Sequence, residues 1–427
     1  MLEIIYIWFI NLCKIYAIYF IFISIFSIFG KKKEKETNKK LRFAVLIAAR
    51  NEENCISGIV DSLKHQEYPE ELIDVFVIPN HCTDNTAEVA KTAGAYVMEA
   101  PKNVNYKGDA LRFATDKLLK SDKQYDAFLV FDADNEACPE FVSSMNKTLC
   151  NGSRVAKSRI FAKNREDSWV AMCYDIHFCT ANLFLNRARV RIGLSARLVG
   201  TGFAVTSDFL REIDGFKTET ITEDAEFFAI CAARGEKIGF CEDAITYDEQ
   251  SLGFMTSLIQ RKRWMSGIMQ VLVLKFNDLI RGLFRKESAK YSLDTLIQFT
   301  FAYIQAVIPF VLLLGIIDRP MAFIHSLPMT ILTGYIYILS TALIVLFFEK
   351  RLKFSRNVIA GILLYPLFVI SFIPLQTVSL FKKTVDWKET EHTGVRMYGE
   401  KSNKKNHHKK KQKHNHKVRV RKSYVFS

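Results

Sequence analysis

The stretch AFLVFDAD, residues 127–134, joins a run of five apolar residues to a pair of acids. Strands that are apolar almost throughout are typical of parallel sheets covered by helices on both faces. Three earlier runs, RFAVLIAA, DVFVIP and GAYVME, have the same β-rich character, and each is followed by a stretch with helical character. This alternation predicts an α/β fold with a mostly parallel sheet, on which ligands bind beyond the carboxyl ends of the strands.

Apolar residues gather at the two ends of the 427-residue chain. Residues 1–30 form an apolar stretch interrupted by Asn11 and Lys14, and crossing a bilayer takes about 20 residues. A lysine-rich run follows at residues 31–40, without a small-residue cleavage site, so a retained anchor is predicted rather than a signal peptide. Because lysine-rich flanks stay in the cytoplasm, the central region is predicted to be cytoplasmic and the protein a multi-pass protein of the cell membrane.

The C-terminal part contains further apolar segments. Residues 294–317 and 328–348 each have the length of a membrane span, and residues 318–320 form a short turn between them. A third segment, residues 357–380, contains two prolines and is predicted to be broken or re-entrant, which keeps the basic tail inside. The predicted organisation is an anchor at 1–30, a cytoplasmic domain at 31–250, amphipathic interface helices at 251–285, a transmembrane region at 290–381 and a basic, disordered tail at 382–427.

Much of the formal net charge of +14 comes from the low-complexity run at residues 401–422. Such a run cannot bury a core. Anionic membrane lipids are its expected partner rather than nucleic acid, because no nucleic-acid module accompanies it. The nine cysteines contain no CxxC pair, which favours reduced thiols over a disulfide framework.

Asp132 and Asp134 end the apolar run, so two carboxylates are expected at the carboxyl end of a strand. Their mutual repulsion is tolerable if Mg²⁺ or Mn²⁺ lies between them, because hard cations prefer oxygen ligands and bridge to phosphate oxygens. The alternative is a solvated turn without a metal.

Two further groups carry candidate chemistry. Glu223 and Asp224 follow Thr222, which makes a good helix N-cap, and an acid held there could act as a general base. QRKRW, residues 260–264, is either an interfacial anchor or a site in which Arg263 offsets the charge of a leaving diphosphate. Trp264 would then stack on a sugar or pack the site.

Taken in order, these motifs resemble the processive family 2 glycosyltransferases, the group of cellulose, hyaluronan and poly-N-acetylglucosamine synthases. Asp224 and Gln260 are separated by 35 residues, as in the pattern D,D,D,35,QxxRW of that family. The resemblance covers residues 43–270 and implies a GT-A-type, Rossmann-like domain flanked by transmembrane and interfacial helices. The motifs that carry it are Asn51-Glu52-Glu53, HCTDNT (81–86), YKGDAL (106–111), DAD, GTG (200–202), TED and QRKRW.

The resemblance also implies roles for individual residues. Asp132 and Asp134 would contact the nucleotide diphosphate, Asp134 chiefly through the metal, and Asp224 would be the base beside Glu223. Lys107 would lie near the phosphates. Other residues would line the nucleoside side (Ala48, Arg50, Glu52, Asn80) and the acceptor and diphosphate side (Gly200, Thr201, Gly202, Gln260, Arg263, Trp264).

The donor implied is a nucleotide diphosphate sugar, with a uridine nucleotide as the first expectation. At Asn80 the sequence departs from the family, which has an acid that holds the uracil ring; an amide can still hydrogen-bond a base edge. The expected product is a β-linked polysaccharide made with inversion, and an accessory export subunit is a possible partner. A single transfer to a lipid acceptor and a catalytically silent membrane scaffold are the alternatives.

Overall fold

A computed structural model of the chain describes residues 2–30, 34–384 and 392–397. Its eight strands form one sheet in the order β3-β2-β1-β4-β7-β6-β8-β5. The strands are Phe43–Ala49 (β1), Ile73–Pro79 (β2), Tyr96–Val97 (β3), Ala127–Asp132 (β4), Asn135–Ala137 (β5), Val155–Ala162 (β6), Phe203–Thr206 (β7) and Ile238–Asp248 (β8).

The first four strands are parallel, as the apolar runs predict. Beyond β4 the sheet is mixed, because β7 is antiparallel to both β4 and β6 while β6 and β8 are parallel. The α/β prediction is therefore confirmed, and its parallel character belongs mainly to the half of the sheet that ends in Asp132.

Both faces of the sheet are covered by helices. In β1, Phe43 and Val45 face one apolar core, and Ala44 and Leu46 face the other, because successive side chains of a strand point to opposite faces. The helices are Leu2–Ile25 (α1), Ile56–Lys64 (α2), Thr86–Thr92 (α3), Lys107–Leu118 (α4), Phe141–Cys150 (α5), Trp169–Thr180 (α6), Ala188–Arg191 (α7), Ser207–Glu212 (α8), Glu223–Arg234 (α9), Phe254–Leu283 (α10), Ala289–Asp318 (α11), Pro320–Phe348 (α12), Arg356–Ile370 (α13) and Phe372–Phe381 (α14).

Four helical segments of the described chain are long and apolar enough to cross a membrane: 4–28, 289–318, 320–348 and 356–381. The turn predicted at residues 318–320 separates α11 from α12. The break predicted in the last segment lies at Ser371. Pro374 accounts for its position, because the ring of a proline clashes with the carbonyl four residues earlier, here that of Ile370.

A third apolar core joins the sheet domain to the membrane-type helices. In it Met172 and Tyr174 of α6 pack with Val345 of α12 and with Val358 and Phe368 of α13. A π-helical stretch, Ala181–Arg187, continues α6. The carboxyl ends of β1 and β4 open toward a cavity that Phe372, the first residue of α14, also lines.

Candidate active site at the carboxyl ends of the strands

The cavity has a volume of about 350 Å³ and lies where β1, β2 and β4 end. It brings together residues that are far apart in the sequence. All of the predicted site residues line it except Thr201 and Gly202; those that do are Ala48, Arg50, Glu52, Asn80, Lys107, Asp132, Asp134, Gly200, Glu223, Asp224, Gln260, Arg263 and Trp264.

Thr201 and Gly202 lie behind the cavity wall and support it. The Thr201 hydroxyl accepts a hydrogen bond from the Asp132 backbone N–H at 3.0 Å. Gly202 has φ +65°, and a Cβ there would lie 2.3 Å from the hydroxyls of Ser158 and Thr246. Only glycine fits this backbone, so Thr201 and Gly202 support Asp132 from behind the wall, while Gly200 lines the cavity.

Asp132 and Asp134 differ in their surroundings. Asp132 lies 2.6 Å from the Lys107 ammonium. Burial raises the pKa of Asp134 to about 6, with the charges of Asp132 and Glu52 adding to the effect and that of His392 opposing it. Asp134 is thus a buried carboxylate among other acids, an arrangement that a cation relieves.

Lys107 begins α4 and binds two acids at once. Its ammonium lies 2.6 Å from Asp132 and 3.0 Å from Glu223, and it donates to the Gly200 carbonyl at 2.7 Å. Burial disfavours its charge, but Asp132 and Glu223 together raise its pKa above the usual range. Lys107 therefore holds strand β4 and helix α9 together at the cavity.

Glu223 and Asp224 form the first turn of α9. The Asp224 carboxylate accepts a hydrogen bond from the Gly200 N–H at 2.5 Å, which fixes its position. The expected cap by Thr222 is wrong: within the described residues its hydroxyl has no hydrogen-bond partner. The Thr222 side chain instead packs against Gly267 of α10, where a Cβ would lie 2.3 Å from it.

The QRKRW sequence lies on α10, where its residues divide between two faces. Gln260, Arg263 and Trp264 face the cavity, as the i, i+3, i+4 spacing of a helix requires. Arg261 faces the other way and lies 3.9 Å from the centre of the Phe368 ring. The hydroxyl of Tyr174 donates to Gln260 at 2.8 Å.

Arg263 is surrounded by acids. Burial lowers its pKa, while Glu223, Asp132 and Asp224 act in the opposite direction. Trp264 packs edge-on against Tyr174, with the ring centres 5.9 Å apart. The Arg263 guanidinium is therefore influenced by the acids proposed to act in catalysis. The Trp264 indole also packs against the third apolar core.

At the opposite end, Arg50 and Asn80 contact each other and the neighbouring loop. Arg50 donates to the carbonyls of Asn80 at 2.9 Å and Asn105 at 2.7 Å. In the amide orientation that gives both side-chain atoms a hydrogen-bond partner, the Asn80 nitrogen donates to the Val104 carbonyl and the Asn80 oxygen accepts from Arg50. Asn80 thus shapes the loop at the tip of β2 through its own amide.

One set of site residues was missed by the sequence analysis. His392 lies 3.0 Å from Glu52 and 3.5 Å from Asp134. The backbone N–H groups of residues 393–395 and the Thr393 hydroxyl all donate to the buried Glu249 carboxylate. The disordered tail predicted from residue 382 must therefore be corrected for residues 392–397, while the basic run at 401–422 lies outside the described residues. The signal was the HTGVRM composition, which differs from that low-complexity run.

Several side chains could hold a metal. Ligand atoms of Glu52, Cys55 and His392 lie within 4.8 Å of one another, and Asp134 lies beside His392. Burial, followed by Glu52, raises the pKa of the Cys55 thiol far above its usual value. Because only a thiolate binds metals well, the carboxylates and the histidine are the better ligands.

A cavity lined by acids from strand ends, in an α/β domain that also carries helices long and apolar enough to cross a membrane, has the features of an enzyme active site. The family model described as "Glycosyl transferase family group 2" matches residues 127–348, more than half of the chain. The chain belongs to this family. The resemblance is thereby confirmed for family 2, and the processive subgroup stays a prediction.

The chain is similar to three characterised or named proteins. It is 24% identical over 391 residues to the probable glycosyltransferase YdaM of Bacillus subtilis, covering 84% of this chain and 89% of that protein. It is 26% identical over 309 residues to the beta-monoglucosyldiacylglycerol synthase of Trichormus variabilis, covering 67% of this chain and 62% of that protein. Among solved structures, the mannosyltransferase PcManGT of Pyrobaculum calidifontis, in complex with GDP-Man and Mn²⁺, matches with a TM-score of 0.56 at 14% identity, over 90% of this chain and 100% of that one. The GT-A-type fold is confirmed.

Proposed function

We propose that this glycosyltransferase uses a divalent metal to move a sugar from a nucleotide diphosphate sugar, with inversion, to an acceptor at the membrane. The observation that carries the proposal is the convergence of Asp132, Asp134, Asp224 and Arg263 on one cavity that extends to the long apolar helices. A catalytically silent scaffold would not need these charges gathered in a buried site, because burying them costs folding free energy.

The donor is proposed to lie along the tips of β1, β2 and β4. All six residues assigned to the donor line the cavity. Ala48, Arg50, Glu52 and Asn80 are assigned to the nucleoside, and Asp132 and Lys107 to the diphosphate. The similar mannosyltransferase was solved with GDP-Man, and a uridine nucleotide is the expectation for this chain. Incubation of the purified full-length protein with a panel of nucleotide sugars and Mg²⁺ or Mn²⁺, with nucleotide diphosphate release as the readout, tests this directly.

Asp134 fits a metal site, because its carboxylate is buried beside Asp132 and Glu52, whose charges raise its pKa. We propose that Asp134, with Asp132, holds Mg²⁺ or Mn²⁺. When bound, the ion would neutralise charge on the diphosphate. His392 contacts both Glu52 and Asp134 and keeps these two acids in position.

The chemical step is assigned to Asp224, with Glu223 beside it. The Gly200 N–H orients the Asp224 carboxylate, which accepts the proton of the acceptor hydroxyl as that oxygen attacks the anomeric carbon. Arg263 lies in the field of Glu223, Asp132 and Asp224 and offsets the charge of the leaving diphosphate. One displacement inverts the configuration, so an α-linked donor gives a β-linkage.

The placement in the membrane follows the same proposal. An anchor at residues 1–30 and a transmembrane region at 290–381 would hold the catalytic domain, residues 31–250, on the cytoplasmic side. The segment 251–285, predicted as several interface helices, forms the single helix α10, which would lie along the bilayer. Labelling of single introduced cysteines by a membrane-impermeant reagent tests this topology. The sheet domain should be labelled only after the cells are opened.

Two acceptors are considered. Gln260, Arg263 and Trp264 favour a growing polysaccharide by their resemblance to the processive enzymes. The rest of the acceptor end, lined by Phe178 and Phe372 among other apolar side chains, favours a single transfer to a lipid. A polysaccharide would find few hydrogen-bond partners there, so the geometry supports the lipid acceptor better, and the relatives named beta-monoglucosyldiacylglycerol synthase agree with it.

Sizing of the product made from a radiolabelled donor separates these two reactions. One lipid-soluble product supports the glycolipid, and a ladder of water-soluble products supports the polymer. A ladder that needs a co-purified membrane protein would identify the accessory subunit.

A further inference from the structure

Arg197 lies at the acceptor end of the cavity, on the loop that also carries Gly200. Its backbone N–H donates to Asn186 of the π-helical stretch at 2.9 Å, which fixes the loop against that helix. Its guanidinium lies 5.9 Å from the centre of the buried Phe299 ring of α11. Arg197 is thus a partly buried cation between the reacting end of the cavity and a membrane-type helix.

No side-chain hydrogen bond or ion pair joins the Arg197 guanidinium to any residue that the structure describes. Burial lowers its pKa to about 10, which leaves it charged at neutral pH. Nearby Asp294 is already occupied, because it contacts Arg189 at 3.2 Å and accepts hydrogen bonds from Tyr19 and Gln298. A buried charge without a partner is costly, and the side of the guanidinium that faces the cavity can take an anion.

Arg197 and Asp224 line the same cavity. The groups that act most strongly on Arg197 are Asp224, Arg189 and Asp294, the last two lying toward the membrane-type helices. Arg263 is influenced by Glu223, Asp132 and Asp224. Asp224 thus acts on both arginines, and only Arg263 is also influenced by Glu223 and Asp132, the two acids that pair with Lys107.

The wall around Arg197 is apolar. Ile160, Phe178, Leu185 and Phe372 line the same end of the cavity. His177 stacks on Phe372 with ring centres 5.7 Å apart, and burial, followed by Arg197, lowers its pKa to about 4, so it is neutral. Next to Asp224, the cavity therefore combines the cation of Arg197 and the neutral ring of His177 with several apolar side chains, which suits an anionic group attached to an apolar chain.

We propose that Arg197 binds the phosphate of a lipid headgroup and that the acceptor is an anionic lipid whose free hydroxyl is presented to Asp224. This inference rests on the proposed function for the transfer step. It adds the chemical class of the acceptor and a residue that recognises it. The phosphate could also come from a water-soluble phosphate ester, and the experiment distinguishes the two sources.

The test uses full-length protein in an alkyl maltoside, which contains no phosphate, with the donor found in the nucleotide-sugar panel. The acceptors are phosphatidylglycerol, diacylglycerol with the same acyl chains, and glycerol 3-phosphate. Phosphatidylglycerol should have the lowest acceptor KM. Arg197→Gln should raise that KM at least about tenfold, the loss expected for one charged hydrogen bond. The KM values for the donor and for diacylglycerol should not change.

Arg197→Lys keeps the charge and should recover part of the affinity for phosphatidylglycerol. Arg281→Gln is the matched control, because Arg281 has a side chain that is 73% exposed and lies outside the cavity. An unchanged KM for phosphatidylglycerol in Arg197→Gln, or an equal rise for diacylglycerol, overturns the proposal. Glycerol 3-phosphate that competes as well as phosphatidylglycerol overturns the lipid source.

Binding is measured separately from transfer, by the rise in unfolding temperature of the wild-type protein with each lipid. Phosphatidylglycerol should stabilise the wild type more than diacylglycerol does. An equal effect of the two lipids overturns the proposal even if Arg197→Gln does not fold. If the wild type transfers sugar to none of the acceptors, the proposed acceptor reaction fails, while the difference in binding still decides the role of Arg197.

Discussion

The two ends of the cavity differ in how their charges are balanced. At the nucleotide end, Lys107 pairs with Asp132 and Glu223, and His392 lies between Glu52 and Asp134. At the acceptor end, Arg197 faces the cavity among apolar side chains, with no ion-pair partner among the described residues. At the nucleotide end, ion pairs within the protein balance the charges. At the acceptor end, the charge of Arg197 can be balanced by an anionic ligand.

This difference has a physical consequence for catalysis. Charged groups that are already paired need little rearrangement when charge develops on the substrate. Such groups suit the nucleotide end, where the diphosphate leaves. A site that gains its counter-charge from the ligand favours that ligand over an uncharged analogue, because the analogue leaves the charge unpaired. The nucleotide end is therefore expected to determine rate, and the membrane end to determine acceptor choice.

The largest expected effect is that of Asp224→Asn. The amide cannot accept the acceptor proton, so kcat should fall by about 10²–10⁴, the contribution of a general base. Donor binding should persist, because the substitution leaves the nucleotide end intact. Transfer rates and equilibrium binding of the donor check both statements.

Asp208→Asn is the control for Asp224, because the Asp208 side chain is 91% exposed and lies outside the cavity. It should leave kcat unchanged. Full turnover by Asp224→Asn would remove the assignment of the base.

Asp134→Asn should lower activity by about 100-fold, which corresponds to about 2.7 kcal/mol of lost charge stabilisation at the diphosphate. A chelator should abolish the wild-type activity, and Mg²⁺ or Mn²⁺ should restore it. The variant should require a higher metal concentration than the wild type for half-maximal rate. Activity that survives chelation would contradict the metal site.

Lys107→Met should raise the donor KM at least about tenfold, because Asp132 and Glu223 would then repel the incoming diphosphate. Lys107→Arg should retain part of the affinity. Lys123→Met is a matched control. The Lys123 ammonium forms an ion pair with Asp74 at 2.5 Å, and Lys123 does not line the cavity. If Lys107→Met raises the acceptor KM and leaves the donor KM unchanged, the assignment of Lys107 to the nucleotide end is wrong.

Leu185→Asn should have the smallest effect, a rise of about 3- to 10-fold in the KM for a lipid acceptor, because weakening one apolar contact costs about 0.7–1.4 kcal/mol. The donor KM should not change. Leu252→Asn serves as the control, since Leu252 is 45% exposed and lies outside the cavity. A rise in the donor KM alone would contradict the assignment of Leu185 to the acceptor end of the cavity.

Much of the fold could be predicted from local features of the sequence. The apolar runs located β1, β2 and β4, because strands buried on both faces must be apolar throughout. The four long apolar segments were located for a similar reason, since backbone in lipid must form its own hydrogen bonds. The ordered motifs also indicated the candidate acids, although not their contacts.

Other features depend on packing between distant segments. The Thr222 hydroxyl makes no cap and packs against Gly267, which lies more than 40 residues later in the chain. His392 reaches Glu52 from more than 300 residues away, and no local pattern predicts that contact. The Thr201 and Gly202 positions behind the wall likewise follow from the neighbouring strands.

The sequence by itself determined the alternating α/β fold, the family and the identity of the acids, because hydrophobic periodicity and motif spacing are local properties of a chain. Only the tertiary structure decided which of those charges are paired. Ion pairing depends on a few ångströms between residues that are distant in sequence. That is why the balanced network around Lys107 and the unmatched Arg197 became visible only in the folded chain.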